Sequence, residues 1–131
     1  MQKAFLSPLV RKTESQLTLV NSRSGRLLAH SIVGAFDSKS RRTGLLGRQG
    51  LPDGHALVIA PTFAIHTFFM RFPIDVAFVS RDGNVLGVRH AVKPWRMAAA
   101  MGAYAAIELP AGTLAVSDTG RGDTLVITAA L

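Results

Sequence analysis

The segment Ile74-Asp75-Val76-Ala77-Phe78-Val79-Ser80-Arg81-Asp82-Gly83-Asn84-Val85-Leu86-Gly87-Val88-Arg89-His90 decides the fold. Two runs rich in β-branched and aromatic residues flank Asp82-Gly83, a dipeptide that favours tight hairpins because glycine readily takes the positive φ such turns need. A two-residue loop pairs Arg81 with Asn84. Counting outward sets Val79 opposite Leu86, Phe78 opposite Gly87, Ala77 opposite Val88, Val76 opposite Arg89 and Asp75 opposite His90. Ala77, Val79, Leu86 and Val88 then share one face, with Asp75 and His90 together at its far end. A bulge would slip this pairing by one residue and separate the carboxylate from the imidazole. Pro73 removes a backbone donor just before Asp75, which places that point at a strand beginning or edge.

Working outward, Gln16 to Val20 alternates polar and apolar residues as a half-buried strand does, and Asn21 to Gly25 supplies a turn. Arg26 to Val33 returns as a second strand. Asp37 or Ser38 can cap a short helix over residues 39–46, ended by Gly47. Ala56 to Ala60, a continuous apolar run between Gly54 and Pro61, reads as a strand buried on both faces. Beyond the hairpin, Met97 to Ala103 reads as an irregular loop or short helix, with Trp95, Met97 and Met101 forming an apolar flap. Tyr104 to Leu109 is a further strand, Ala111 to Ser117 a short helix and Thr124 to Thr128 a final strand. Strands outnumber helices, so the expected fold class is α+β: a small β-rich domain, a curled or closed mixed β-barrel with one short helix covering an end. Residues 1–15 read as a loose basic N-terminal arm and residues 16–131 as a single domain.

Composition supports that reading. The chain has 131 residues, 48% of them hydrophobic and 18% charged, enough apolar content for one packed core and too much for a disordered chain. With no cysteine it can form no disulfide, thiolate nucleophile or cysteine-built zinc site. It contains no apolar run long enough to span a bilayer. Ala4 to Val10, interrupted by Ser7 and Pro8, falls short of a secretory h-region, so a cytoplasmic location is expected. The net charge of +7 is confined to residues 1–48, where nine basic side chains face Glu14 and Asp37; the remainder is neutral. An anionic partner such as nucleic acid would therefore meet Arg41, Arg42 and Arg48. No aromatic residues interleave these arginines, however, and a solvated basic face is the simpler expectation.

Two constellations suggest chemistry. Asp75 beside His90 could orient an imidazole base, as in hydrolases, but a nucleophile is missing: Thr67 and Ser80 are possible only by residue type, and no Gly-x-Ser-x-Gly elbow occurs. A carboxylate and imidazole that satisfy one another at a sheet end are the simpler explanation of the pair. His30, His55, His66 and His90 offer neutral metal ligands, yet no two lie three to five residues apart. No metal and no cofactor are expected. Asp75, two residues past Pro73, can also be a fold-fixing acceptor of a neighbouring turn's amides, and Glu108 and Asp123, near strand ends, read as structural acceptors of the same kind; a polar group at a pocket mouth is the alternative for each.

Four motifs occur in order: Arg41-x-x-Gly44-Leu45-Leu46-x-Arg48-x-x-Leu51, Phe69-Met70-Arg71-x-Pro73-Ile74-Asp75-x-x-Phe78, Glu108-Leu109-Pro110-Ala111-Gly112 and Gly122-Asp123. In order and spacing they resemble domain-of-unknown-function family 192, small bacterial and archaeal proteins, over roughly residues 17–128. Leu46 and Ile74 stand where that family usually has Met and Leu, both volume-conserving changes. The resemblance implies a compact β-rich fold and brings no established activity, cofactor or catalytic residue.

These observations favour binding over catalysis. The expected site is a small pocket near the end of the central hairpin, with Met70, Asp75, His90 and Trp95 as candidate ligand-binding residues and the Trp95 to Met101 segment as its roof. An unknown small ligand or protein partner is the expected occupant. A hydrolase built on His90 and Asp75, and a nucleic-acid or anionic-surface binder built on Arg41, Arg42 and Arg48, are the alternatives.

Overall fold

The computed structural model describes residues 4–10 and 16–129. Three short helices, α1 (Ser7–Val10), α2 (Ser38–Thr43) and α3 (Thr113–Val116), accompany ten strands: β1 (Leu17–Asn21), β2 (Leu27–Ala29), β3 (Ser31–Ala35), β4 (His55–Ile59), β5 (Ala64–His66), β6 (Ile74–Val79), β7 (Val85–Val92), β8 (Met97–Ala99), β9 (Ala105–Pro110) and β10 (Leu125–Ala129). The expected barrel with one helix is corrected to three sheets with three helices. A five-stranded sheet runs β3-β4-β9-β6-β7, a three-stranded sheet β10-β1-β2, and β5 pairs with β8 alone.

The second expected strand causes the difference. Within Arg26 to Val33, His30 N and Ser31 N both donate to Gly54 O at 2.8 and 3.1 Å, which breaks the run into two strands. β2 stays antiparallel to β1, whereas β3 crosses to the other sheet and pairs parallel with β4. A parallel pair needs a crossover connection, and here residues 36–54 supply it, α2 included.

The hairpin forms with the expected register through its middle: Phe78 opposes Gly87, Ala77 opposes Val88 and Val76 opposes Arg89. It departs at both ends. Val79 opposes Val85 across one irregularity, and Ile74 opposes Val92 across another that falls at Asp75. At the turn, Ser80 N donates to Asn84 O at 2.9 Å, and Gly83 adopts φ +86°.

β6 and β9 are buried along their whole lengths because each face of the large sheet carries a core. Ala77, Val79 and Ile107 pack with Val58, Leu19, Leu125 and Ile127 against the three-stranded sheet. On the opposite face Val76 and Phe78 pack with Ile59, Leu45, Ile65 and Met70. Residues 4–10, expected as part of a loose arm, instead dock: Phe5 and Leu6 are buried in the first core, and Phe5 N donates to Arg81 O at 3.0 Å. The other residues of that arm, 1–3 and 11–15, lie outside the described residues. Met97 to Ala103, read as loop or helix, begins with β8, whose Ala98 opposes Ile65 of β5. No helix among the described residues is long and apolar enough to cross a membrane.

Candidate functional site

Asp75 and His90 are not brought together. Asp75 keeps its register opposite Leu109 of β9, while the β6–β7 irregularity leaves it no partner in β7; its fully buried carboxylate accepts three backbone amides: Ala91 N at 2.8 Å, Leu114 N at 2.9 Å and Gly112 N at 3.1 Å. It thereby ties β7 and the start of α3 to β6. His90 is exposed and makes no side-chain hydrogen bond among the described residues. The base and orienter expected of a hydrolase are therefore separate groups.

One of several surface cavities, about 410 Å³ in volume, lies on the opposite face, between the large sheet and the β3–β4 crossover. Ile59, Ile65, Leu45 and Met70 give it apolar walls, Arg41, Arg42 and His66 bring cationic and imidazole groups, and Glu108 from β9 completes the lining. The register fixes that orientation: Glu108 opposes Val76 on one side and Leu57 on the other, so the three side chains share a face. Glu108 is 2% exposed, its carboxylate makes no hydrogen bond to another described residue, and its oxygens keep a small opening, since no sealed side-chain oxygen among the described residues lacks a partner. Burial pushes its pKa from the ordinary 4.5 up to about 7, because an ionised group loses hydration that nothing replaces. The expectation that Glu108 holds turn amides is thus corrected; the strand pairing leaves its side chain among apolar neighbours.

The other wall follows from local chemistry. Asp37 caps α2 by accepting Ser40 N at 2.7 Å and the Ser40 hydroxyl at 2.8 Å, and these bonds lower its own pKa. Arg41 is half-buried and donates to Phe36 O at 2.7 Å. The helix stops at Gly44, not at Gly47, with φ +48° and its N–H on Ser40 O. A Cβ at Gly44 would lie 3.7 Å from Glu108 Oε1, so the missing side chain leaves the carboxylate open toward the cavity.

His66 joins this cavity to a second feature. Its ring packs on Phe68 at 4.9 Å, Phe68 stacks with Trp95 at 6.0 Å, and Trp95 meets Phe69 at 4.6 Å. Phe69 and Trp95 are 68% and 56% exposed, which for large aromatic residues calls for an explanation. Both adopt left-handed backbone, φ +66° and +67°, which costs a non-glycine residue about 1 kcal/mol or more. Buried Thr67 holds them there. Its hydroxyl donates to Lys93 O at 2.6 Å and accepts Arg96 N at 2.9 Å, while its main chain bonds Arg96 O at 2.8 Å and Trp95 N at 3.0 Å. Thr67, considered for its hydroxyl as a nucleophile, uses that hydroxyl as a staple.

Of the candidate ligand-binding residues, then, Met70 lines the cavity, Trp95 stands on the adjoining ledge, and Asp75 and His90 lie elsewhere. Met97 and Met101, expected with Trp95 as a roof, are exposed to solvent. Arg41 and Arg42 reach the cavity; Arg48 does not line it. Asp123 is buried at the β1–β2 turn, accepting Arg23 Nε at 2.6 Å, Asn21 Nδ2 at 2.9 Å and Gly120 N at 2.9 Å. The Arg23 bond, foremost, holds its carboxyl well below the usual range. No group of three or more His, Asp or Glu side chains among the described residues could hold a metal. Sequence reasoning favoured a structural role for Glu108, weighed His66 only as a metal ligand, and met Phe69 and Gly44 only as motif residues with no place in a site. The available signal was collective: Arg41, Gly44, Leu45, Leu46, Met70 and Glu108, drawn from three separate motifs, all line this one cavity.

Comparison with known proteins agrees with this architecture. Residues 19–127 match the sequence profile of a family described as uncharacterized ACR. The fold is similar to that of a protein of unknown function from Novosphingobium aromaticivorans DSM 12444, with a TM-score of 0.72, 22% identity, and coverage of 84% of this chain and 82% of that one. It is also similar to that of a "putative transcription regulator" from Sinorhizobium meliloti 1021, with a TM-score of 0.73, 21% identity, and coverage of 85% and 91%. No curated protein matches the chain.

Proposed function

Since the chain belongs to domain-of-unknown-function family 192, an uncharacterised family, its role has to be read from its own residues, and we propose that it is a small-ligand binding domain whose site is the cavity over Glu108. One observation carries this reading: a carboxylate 2% exposed, with no protein donor among the described residues, facing a cavity of about 410 Å³. No protein group among the described residues occupies this carboxylate, its oxygens open onto the cavity, and a ligand there has room to donate a hydrogen bond to it. The ligand class follows from the lining. A hydroxyl or amine would meet Glu108, an apolar body would fill the space between Leu45, Ile59 and Met70, and an acidic group would meet Arg42 near the opening.

The test is a thermal-shift panel of amino acids and hydroxy acids against the wild-type protein, Glu108→Gln and Arg42→Ala. A compound present at ten times its Kd stabilises the wild type by about 1.4 kcal/mol, a Tm rise of about 5 °C for a domain of this size. A hit that keeps its full shift in both variants, or a panel with no shift at millimolar concentration, would overturn the reading.

A further inference from the structure

The aromatic ledge is separate from the cavity floor, and its chemistry points to a different kind of ligand. Phe69 and Trp95 are exposed, contact each other at 4.6 Å, and are held outward by left-handed backbone that Thr67 fixes. Apolar exposure alone would suit many partners; charge narrows the choice. Arg71 lies two residues from Phe69, and Lys93 and Arg96 flank Trp95; all three are exposed and in no ion pair among the described residues. Between residues 65 and 103 the only carboxylates are Asp75, which is fully buried, and Asp82 at the distant hairpin turn. That turn is about 20 Å away along β6, taking about 3.3 Å per residue. The ledge therefore combines exposed π-faces with uncompensated cations, where a saccharide would need hydroxyl partners and a cationic peptide would be repelled.

We propose that this ledge binds single-stranded nucleic acid: a base stacks on the exposed face of Trp95 or Phe69, and neighbouring phosphates meet Arg71, Lys93 and Arg96. Stacking on aromatic side chains with cations along the backbone is the general chemistry of single-strand recognition. The fixed backbone and the packing of Trp95 against Phe68 and Phe69 reduce the cost of ordering the rings on binding.

Trp95 is the only tryptophan in the chain, so its fluorescence reads the ledge directly. Titration with rU12 and, in a parallel arm, dT12 at 50 mM salt is expected to quench that emission; preference for one strand identifies RNA or DNA as the source. Trp95→Ala and Phe69→Ala, followed by anisotropy of labelled oligonucleotide, are expected to weaken binding at least fivefold each. Trp95→Phe restores most of it, which separates stacking from any loss of fold. Three phosphate contacts predict about a twentyfold loss of affinity from 50 to 200 mM salt, from a slope of about −2. Glu108→Gln leaves the affinity unchanged, so the ledge and the cavity stand or fall separately. Undiminished binding by Trp95→Ala, equally tight binding of the duplex or of heparin, or no quenching at 50 mM salt would each overturn the proposal.

Discussion

Glu108→Gln tests the central claim about the cavity, because it replaces the buried carboxylate with a neutral group of nearly the same shape. In the unfolded chain this acid titrates near its ordinary 4.5, and in the folded protein at about 7. At about 1.4 kcal/mol per pH unit the difference corresponds to about 3 kcal/mol. The sign follows from proton counting. Below about pH 4.5 both states carry the proton and burial has no ionic cost. Between 4.5 and 7 the folded state holds a proton that the unfolded state has lost, so stability falls as pH rises. Above about 7 the carboxylate is ionised in both states and the full penalty applies. Glu108→Gln carries no such penalty, so relative to the wild type it should gain about 3 kcal/mol between pH 4.5 and pH 8, about 10 °C in Tm. Urea unfolding of both proteins at half-unit pH intervals measures that difference, with contributions common to both cancelling. A gap that stays constant within 0.5 kcal/mol, a threshold well under the roughly 3 kcal/mol expected, would refute the reasoning: the carboxylate would then be hydrated or hydrogen-bonded in the folded protein.

Asp75→Ala should destabilise by about 2 kcal/mol or more, since the buried Leu114 amide left without an acceptor costs about 1 to 3 kcal/mol and the part-buried Ala91 and Gly112 amides, which water can reach, cost less; a loss under about 1 kcal/mol in urea would contradict the hydrogen-bond pattern. Gly83→Ala should cost more than about 2 kcal/mol, because φ is +86° and the new Cβ would meet Phe5 Cδ1 at 2.8 Å and the Leu125 carbonyl as well; an unchanged urea midpoint would refute this. Asp123 titrates in the opposite sense to Glu108. Its carboxyl is depressed, chiefly by Arg23, so its contribution is complete above its ordinary 3.8 and is lost on acidification below that. Asp123→Asn should therefore flatten the acid limb of the stability profile, and an unaltered limb would argue against the Arg23 bond.

The strands were legible where local signals and long-range packing agree. Asp82-Gly83 and the β-branched runs beside it fixed the hairpin and the middle of its register, and Ala56 to Ala60 showed its two buried faces through unbroken apolarity. What local signals could not show is where a strand leaves one sheet for another. Arg26 to Val33 looks continuous until Gly54, more than twenty residues later, captures His30 N and Ser31 N. The site failed for a related reason. Asp75 and His90 were matched on a register that one irregularity dissolves, whereas Glu108 faces Arg42 only because a parallel crossover lays residues 36–54 over β9. Residues from three motifs converge through tertiary structure, so spacing along the chain says nothing of their proximity. The left-handed aromatics were equally hidden, since no propensity predicts Phe or Trp there; Thr67 imposes that backbone from the outside.

That crossover has a consequence for how the protein could diversify. Glu108 and Ile59 belong to the sheet, while Arg41, Arg42, Gly44 and Leu45 belong to the connection, so under the proposed binding function anchor and selectivity would reside in separable stretches of polypeptide. Relatives could exchange the segment between β3 and β4 and acquire new ligands while the scaffold beneath stays intact. An engineer could do the same by grafting alternative connections onto one unchanged framework.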